Sequence, residues 1–141
     1  MQDYPLDLTP DDNDTLLVTS PDFPELTTFG EALEDARTHG ADALLAMIET
    51  YMERGLAVPS PSDAAGRPTV RLPTLTAAKV ALHNTMREQR VTQLDLAARL
   101  GCDPRQVRRM LDPRNASRMD QLDAALAALG KRLSVDVRDA A

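Results

Sequence analysis

QLDLAARLGCDPRQVRRMLD, residues 93–112, is the stretch on which the reading of this chain turns. It reads as a helix-turn-helix. Ala97 is small, Gly101 follows four residues later and Val107 six after that, which are the positions where two helices approach closely, turn and share a core. For the first helix, Thr92 is an N-cap with Asp95 three residues on, Leu96 and Leu100 face inward, and Gly101 closes the end. For the second, Asp103 is an N-cap, Pro104 fits the first helical position and Gln106 stands where it can complete a capping box, which predicts a helix over 104–111. At about 100° per residue Val107, Met110 and Leu111 share one side of that helix, and Arg105, Arg108 and Arg109 share the other with Gln106 on its flank.

One face therefore packs and the other is cationic. Arginine bridges guanine edges or holds phosphate and glutamine pairs with adenine, so the face has the chemistry for affinity and for readout. Arg114, Asn115 and Arg118 extend the polar stretch, and where the first helix begins Gln93 is a candidate phosphate anchor and Thr92 a further candidate DNA contact. A single exposed arginine is an ordinary feature of a solvated helix; the group, with the capped helix before it, points to DNA.

The charge distribution splits the chain. Residues 1–65 hold 14 acids against two arginines, a net charge of −12, whereas residues 66–141 hold eight acids against 14 basic residues, a net charge of +6; together they give the overall −6. That asymmetry predicts a basic module for nucleic acid and an acidic module for something cationic. Between them, GLAVPSPSDAAGRPTVRLP (residues 55–73) contains four of the ten prolines and two of the six glycines, the composition of a semi-extended linker. The expected division is 1–56, a linker over 57–73, and 74–141, with a possible short strand at 69–72.

Residues 3–9 alternate with Tyr4, Leu6 and Leu8 on one face, DDND at 11–14 is a turn, and TLLVTS at 15–20 favours a strand, together a hairpin. A third strand over 26–29 and a helix from Gly30 to Arg54, with the stripe Leu33, Ala36, Gly40, Leu44, Met47, Ile48 and Tyr51, complete a β-β-β-α layer. At the other end, 74–89 predicts a helix, Ser117 caps a last helix ending at Gly130, and KRLSVDVR alternates with Leu133, Val135 and Val137 on one face. That final strand needs a partner, either 69–72 or a second chain, and a two-fold dimer or higher homo-oligomer would present two recognition helices to a palindrome. The expected fold class is α+β: a β-β-β-α domain joined to an all-α helix-turn-helix domain with a C-terminal strand.

Other chemistry finds little support. His39 and His83 are far apart and have no further ligand at metal spacing, there is no glycine-rich phosphate loop, and no metal or cofactor is expected. The acids at 3, 7, 11, 12, 14, 22 and 25 sit where strand exteriors and a turn explain them, so no catalytic residue is assigned. No apolar run approaches a membrane span, no export signal is visible, and a single cysteine, Cys102, is read as a packed residue of the turn, which sets a cytoplasmic expectation.

YPLDL at residues 4–8, DDNDTLLVTSPDFPELTTFGEALEDA at 11–36, the long helix and proline linker, and TQLDLAARLGCDPRQVRRMLDPRN at 92–115 together resemble the HicB antitoxin family, in the subgroup with a C-terminal helix-turn-helix. Many relatives carry Gly-Cys where this chain has Glu25-Leu26. The resemblance implies a truncated ribonuclease-H-like N-terminal fold without catalysis, a small basic HicA-like toxin that cleaves mRNA as partner, and repression of the antitoxin's own operon through palindromic operator DNA. The expected toxin contacts are Tyr4, Asp22, Phe23, Glu25 and Phe29. The alternative reading is a stand-alone transcriptional regulator whose N-terminal domain senses a small ligand in a cavity; an active ribonuclease-H-type nuclease is a third.

Overall fold

The alternation over residues 3–9 predicts one strand, yet the computed structural model, which describes residues 2–140, divides it at Leu6 between two partners. Strand β1 (Asp3–Pro5) runs antiparallel to β5 (Thr69–Arg71), with Tyr4 opposite Val70. Strand β2 (Asp7–Pro10) runs antiparallel to β3 (Leu16–Thr19), and β4 (Thr27–Gly30) lies on the other edge of β3, giving the order β2-β3-β4. Proline at position 5 has no N–H to give a ladder, and Leu6 sends its own N–H to the Pro68 carbonyl at 2.8 Å. The three strands expected before the helix are thus four, the short strand expected at 69–72 forms as β5, and among the described residues the chain is α+β with small antiparallel sheets.

Helix α1 (Leu33–Glu53) covers one face of the three-stranded sheet through Ala36, Gly40, Leu44, Ile48 and Met52, a strict four-residue spacing. Gly40 lets the helix approach the sheet closely: a Cβ would stand 2.6 Å from Leu6 Cδ1 and 3.2 Å from Val18 Cγ1. Gly30 is tighter still, because a Cβ would lie 2.3 Å from the backbone nitrogen of Ala36. Contact with the sheet begins at Ala36, which leaves Leu33, expected on the buried stripe, 52% exposed.

Three of the four aromatic residues lock this layer. Phe23 lies 5.6 Å from Tyr4 and 5.1 Å from Tyr51 between ring centroids, the latter pair edge-to-face. The buried Tyr4 hydroxyl donates to the Pro59 carbonyl at 2.6 Å, and burial together with the Asp22 charge pushes its phenol up to about 12. Residues 57–73, expected as a linker, are held to the sheet for the same reason that they contain apolar side chains: Val58, Val70 and Leu72 are buried. The chain forms two compact units, one running through Ala77 and the other from Ala78.

In the second unit, helices α2 (Thr74–Gln89, which begins at the end of the first unit), α3 (Gln93–Leu100), α4 (Pro104–Leu111) and α5 (Met119–Ala128) follow in sequence. Ala78, Val80, Leu82, Met86, Leu96, Ala97, Val107, Met110, Leu122, Ala125, Leu126 and Leu129 are its buried apolar residues. Ser117 was expected to cap α5, but Arg118 takes the N-cap position and the Ser117 hydroxyl is drawn instead to the Lys79 ammonium at 2.9 Å. Residues 131–140 form no strand, correcting the expected pairing of Leu133, Val135 and Val137 within this chain. A lone strand has no ladder to join, and 69–71, one of its two expected partners, are paired with β1.

Candidate nucleic-acid and partner sites

The Thr92 hydroxyl accepts the Asp95 N–H at 3.1 Å while the Asp95 carboxylate accepts the Thr92 N–H at 3.1 Å, so α3 starts on a complete capping box. The Thr92 backbone N–H, and then the Thr92 side chain, hold the Asp95 carboxyl below the usual carboxylate range. Helix α3 ends at Gly101, whose φ of 65° is left-handed and suits glycine. The Cys102 N–H closes the turn on the Ala97 carbonyl at 3.0 Å. Asp103 then caps α4 by accepting the Arg105 N–H at 2.8 Å. The turn and both caps thus fix where the side chains of α4 point.

Val107 and Met110 are buried, and Arg105, Gln106, Arg108 and Arg109 are exposed around the rest of α4. Gln93 and Thr92 are exposed at the start of α3, and Arg114 and Arg118 are exposed beyond α4. Asn115 is half-buried, its amide donating to the Ser117 hydroxyl at 3.0 Å. Two of the arginines are held by carboxylates two residues away: Arg105 on Asp103 at 3.2 Å and Arg118 on Asp120 at 3.1 Å. Such exposed pairs are worth little in water, so a phosphate or a base edge exchanges easily for the carboxylate.

The sequence reading passed over Lys79. Its side chain is fully buried, and its Nζ reaches the carbonyls of Arg109 (3.0 Å), Asp112 (2.7 Å) and Asn115 (2.7 Å) and the Ser117 hydroxyl (2.9 Å). The signal was present: Leu75, Lys79, Leu82 and Met86 follow core spacing on α2, with a lysine where an apolar residue belongs.

On the first unit, the five expected partner contacts divide. Tyr4 and Phe23, at 2% and 0% exposure, belong to the aromatic core and are withdrawn from any surface. Asp22 is half-buried, and both of its carboxylate oxygens accept the Ser62 N–H at 3.1 Å while the Ser62 hydroxyl donates to one of them. Glu25 is exposed and accepts the Tyr51 hydroxyl at 2.8 Å, which together with burial and the Glu25 charge raises the Tyr51 phenol. Phe29 is 48% exposed and stands opposite Leu17 across the β3–β4 ladder. Beside it an open depression of about 470 Å³ is lined by Thr15, Phe29, Gly30, Glu31, Asp35 and His39. An exposed phenylalanine rimmed by carboxylates suits a basic protein surface. Among the described residues no cluster of three or more His, Cys, Asp or Glu is placed to hold a metal, and no helix is long and apolar enough to cross a membrane.

Comparison with known proteins assigns the class. Residues 3–81, more than half of the chain, match the model of the HicB-like antitoxin of bacterial toxin-antitoxin system. Antitoxin HicB 1 of Photorhabdus laumondii is 31% identical over 134 residues, covering 95% of this chain and 86% of that protein. Antitoxin HicB 2 of the same organism is 36% identical over 118 residues, 84% of each chain. Antitoxin HicB of Escherichia coli is 33% identical over 133 residues, 94% of this chain and 96% of that one. These relatives are named as antitoxins rather than as enzymes. This chain belongs to the HicB-like antitoxin family, and that membership implies a toxin as partner.

Proposed function

We propose that this protein binds and neutralises a small basic, HicA-like ribonuclease toxin through its first unit and represses its own operon through its second, with α3 and α4 acting as a helix-turn-helix on operator DNA. The observation that carries the DNA half is the division of α4: Val107 and Met110 are buried while Arg105, Gln106, Arg108 and Arg109 are exposed. A short helix, capped at its start and cationic on its free face, supplies what major-groove reading requires. Gln93 and Thr92 would hold phosphate at the start of α3, and Arg114, Asn115 and Arg118 would continue the contact beyond α4.

For the toxin half, the support is the family together with the acidic first unit, whose layer of antiparallel strands under one long helix is read as a truncated ribonuclease-H-like fold used for binding. Asp22, Glu25 and Phe29 remain the contact residues, and the −12 charge of residues 1–65 would both speed capture of a cationic toxin and compete with RNA for its surface. The open, carboxylate-rimmed depression at Phe29 favours this over small-ligand sensing, which asks for an enclosed apolar cavity. Leu133, Val135 and Val137 would pair with a second copy, giving a dimer that reads a palindrome with half-sites about 34 Å apart. Toxin, mRNA and operator place the work in the cytoplasm.

The test has two arms. The purified chain should capture the small basic protein encoded beside its gene and stop that protein's RNA cleavage, and it should bind the DNA upstream of its own gene. Arg105→Ala or Arg109→Ala, where the side chain reads a base, should cost about 1–3 kcal/mol and relax sequence preference, whereas Gln93→Ala should weaken binding on all sequences alike. No capture sinks the toxin half; unchanged operator affinity in all three variants at fixed salt sinks the DNA face.

A further inference from the structure

We infer that Lys79 is the positioning residue of the DNA-reading surface: its buried ammonium gathers the end of α4 and the 112–117 turn onto α2, and so sets where Arg109, Arg114, Asn115 and Arg118 stand. The inference rests on the reading of α4 as the DNA-contacting helix. Four acceptors converge on one nitrogen: the carbonyls of Arg109, Asp112 and Asn115 and the Ser117 hydroxyl, all within 3.0 Å. An ammonium has three N–H groups, so the acceptors share them, and the Arg109 carbonyl also receives the Asp112 N–H at 3.2 Å and the Ser117 hydroxyl at 3.3 Å.

The final carbonyls of a helix have no intrahelical donor and form its negative pole, so a cation placed there satisfies both hydrogen bonding and the dipole. Here the cation comes from a different helix. It therefore fixes the end of α4 in space as well as terminating it. Burial pushes the Lys79 ammonium below the usual lysine range, with the Asp112 charge opposing. Burying a charge in this way is a poor means of adding stability, because an apolar side chain of the same size would avoid the desolvation cost. What the ammonium adds is a unique geometry for residues 109–117, the segment that interleaves three of these acceptor carbonyls with candidate DNA contacts. The side chain is fully buried, so its charge does not itself meet DNA.

Two variants of the full chain separate positioning from plain stability. Lys79→Met keeps the length of the side chain and removes its donors; Ser117→Ala removes the side-chain acceptor, together with that hydroxyl's bonds to the Asn115 amide and the Arg109 carbonyl. Affinity is measured at fixed salt for a duplex from upstream of the gene and for a scrambled duplex of the same length, with thermal melting and amide NMR spectra as controls of folding. Lys79→Met is expected to lower affinity for the upstream duplex about tenfold, that is about 1.4 kcal/mol, while leaving the scrambled duplex unchanged. Its amide shifts should change mainly over residues 109–118. Ser117→Ala should move the same ratio in the same direction by about threefold. Folded variants that both keep the wild-type ratio overturn the inference. If Lys79→Met unfolds the second unit, Ser117→Ala decides alone, and an unchanged ratio there overturns it equally. A wild-type chain with no preference for the upstream duplex removes instead the reading on which the inference rests, and the inference with it.

Discussion

His39 ties α1 to β4 through a ring that meets an acceptor on each side. Its Nδ1 is 2.6 Å from the Phe29 carbonyl and its Nε2 is 3.3 Å from the Asp35 carboxylate. Neither partner can donate, so both ring nitrogens must, and the geometry selects the imidazolium. The Phe29 carbonyl, then the Asp35 charge, raise the His39 pKa above 6.5. A folded pKa above the unfolded one means that the contribution is complete below about pH 6.5 and is lost as pH rises through the folded value. Stability of the first unit should therefore fall as pH is raised from 6 through the value at which the ring titrates, read as the urea midpoint. His39→Gln, which cannot donate to both acceptors, should flatten that dependence. An NMR titration placing the ring below pH 6.5 would contradict the assignment. The same bond matters for docking, because β4 is an edge strand and the ring occupies one of its carbonyls beside the exposed Phe29 ring.

Among the elements, the tightest junction is that of β4 with α1. Gly30 ends the strand where the Ala36 backbone passes, and a Cβ would meet the Ala36 nitrogen at 2.3 Å and its Cα at 2.4 Å. Backbone cannot step aside as a side chain can, so Gly30→Ala should destabilise the first unit by about 3 kcal/mol, the upper end of ordinary overpacking. Urea unfolding reads this directly, and an unchanged midpoint would mean that the helix start is free to shift. At Gly40 the clash falls on the tip of the flexible Leu6 side chain, so alanine there should cost far less. What could be read in the sequence at this scale follows from range. Thr92, Gly101 and Asp103 announce α3 and α4 because a cap is decided within three or four residues. The pairing of residues 3–5 with 69–71 was not legible, since periodicity identifies a strand without naming its partner. The prolines of residues 57–73 hid Val58, Val70 and Leu72, the side chains that fasten that segment down. Among the candidate contacts, the arginines of α4 were legible from helical spacing. Tyr4 and Phe23 were not, because an aromatic residue in a small unit serves core and surface by the same composition.

For the whole molecule, the proposed DNA reading rests on one eight-residue helix, which alone would be a weak DNA ligand; helix-turn-helix proteins commonly place two copies on one duplex. In the proposed dimer the tail would join them. Val135 and Val137 are 69% and 90% exposed, Leu133 is half-buried, and alternation puts all three on one side of an extended segment. An antiparallel pair of tails centred on Ser134 would set Leu133 against Val135 and Arg132 against Asp136, each contact occurring twice by symmetry. Introducing charge on the apolar side, Val135→Asp with Val137→Asp, should leave a chain that sediments as a monomer at micromolar concentration. Its toxin binding should be unaffected, because the altered residues lie in the second unit. Its affinity for a two-half-site operator should fall about a hundredfold, through loss of effective concentration rather than of any DNA contact, whereas a single half-site should be bound as before. Equal loss on both duplexes would assign the tail to the DNA surface, and an unchanged sedimentation coefficient would exclude it from the dimer contact.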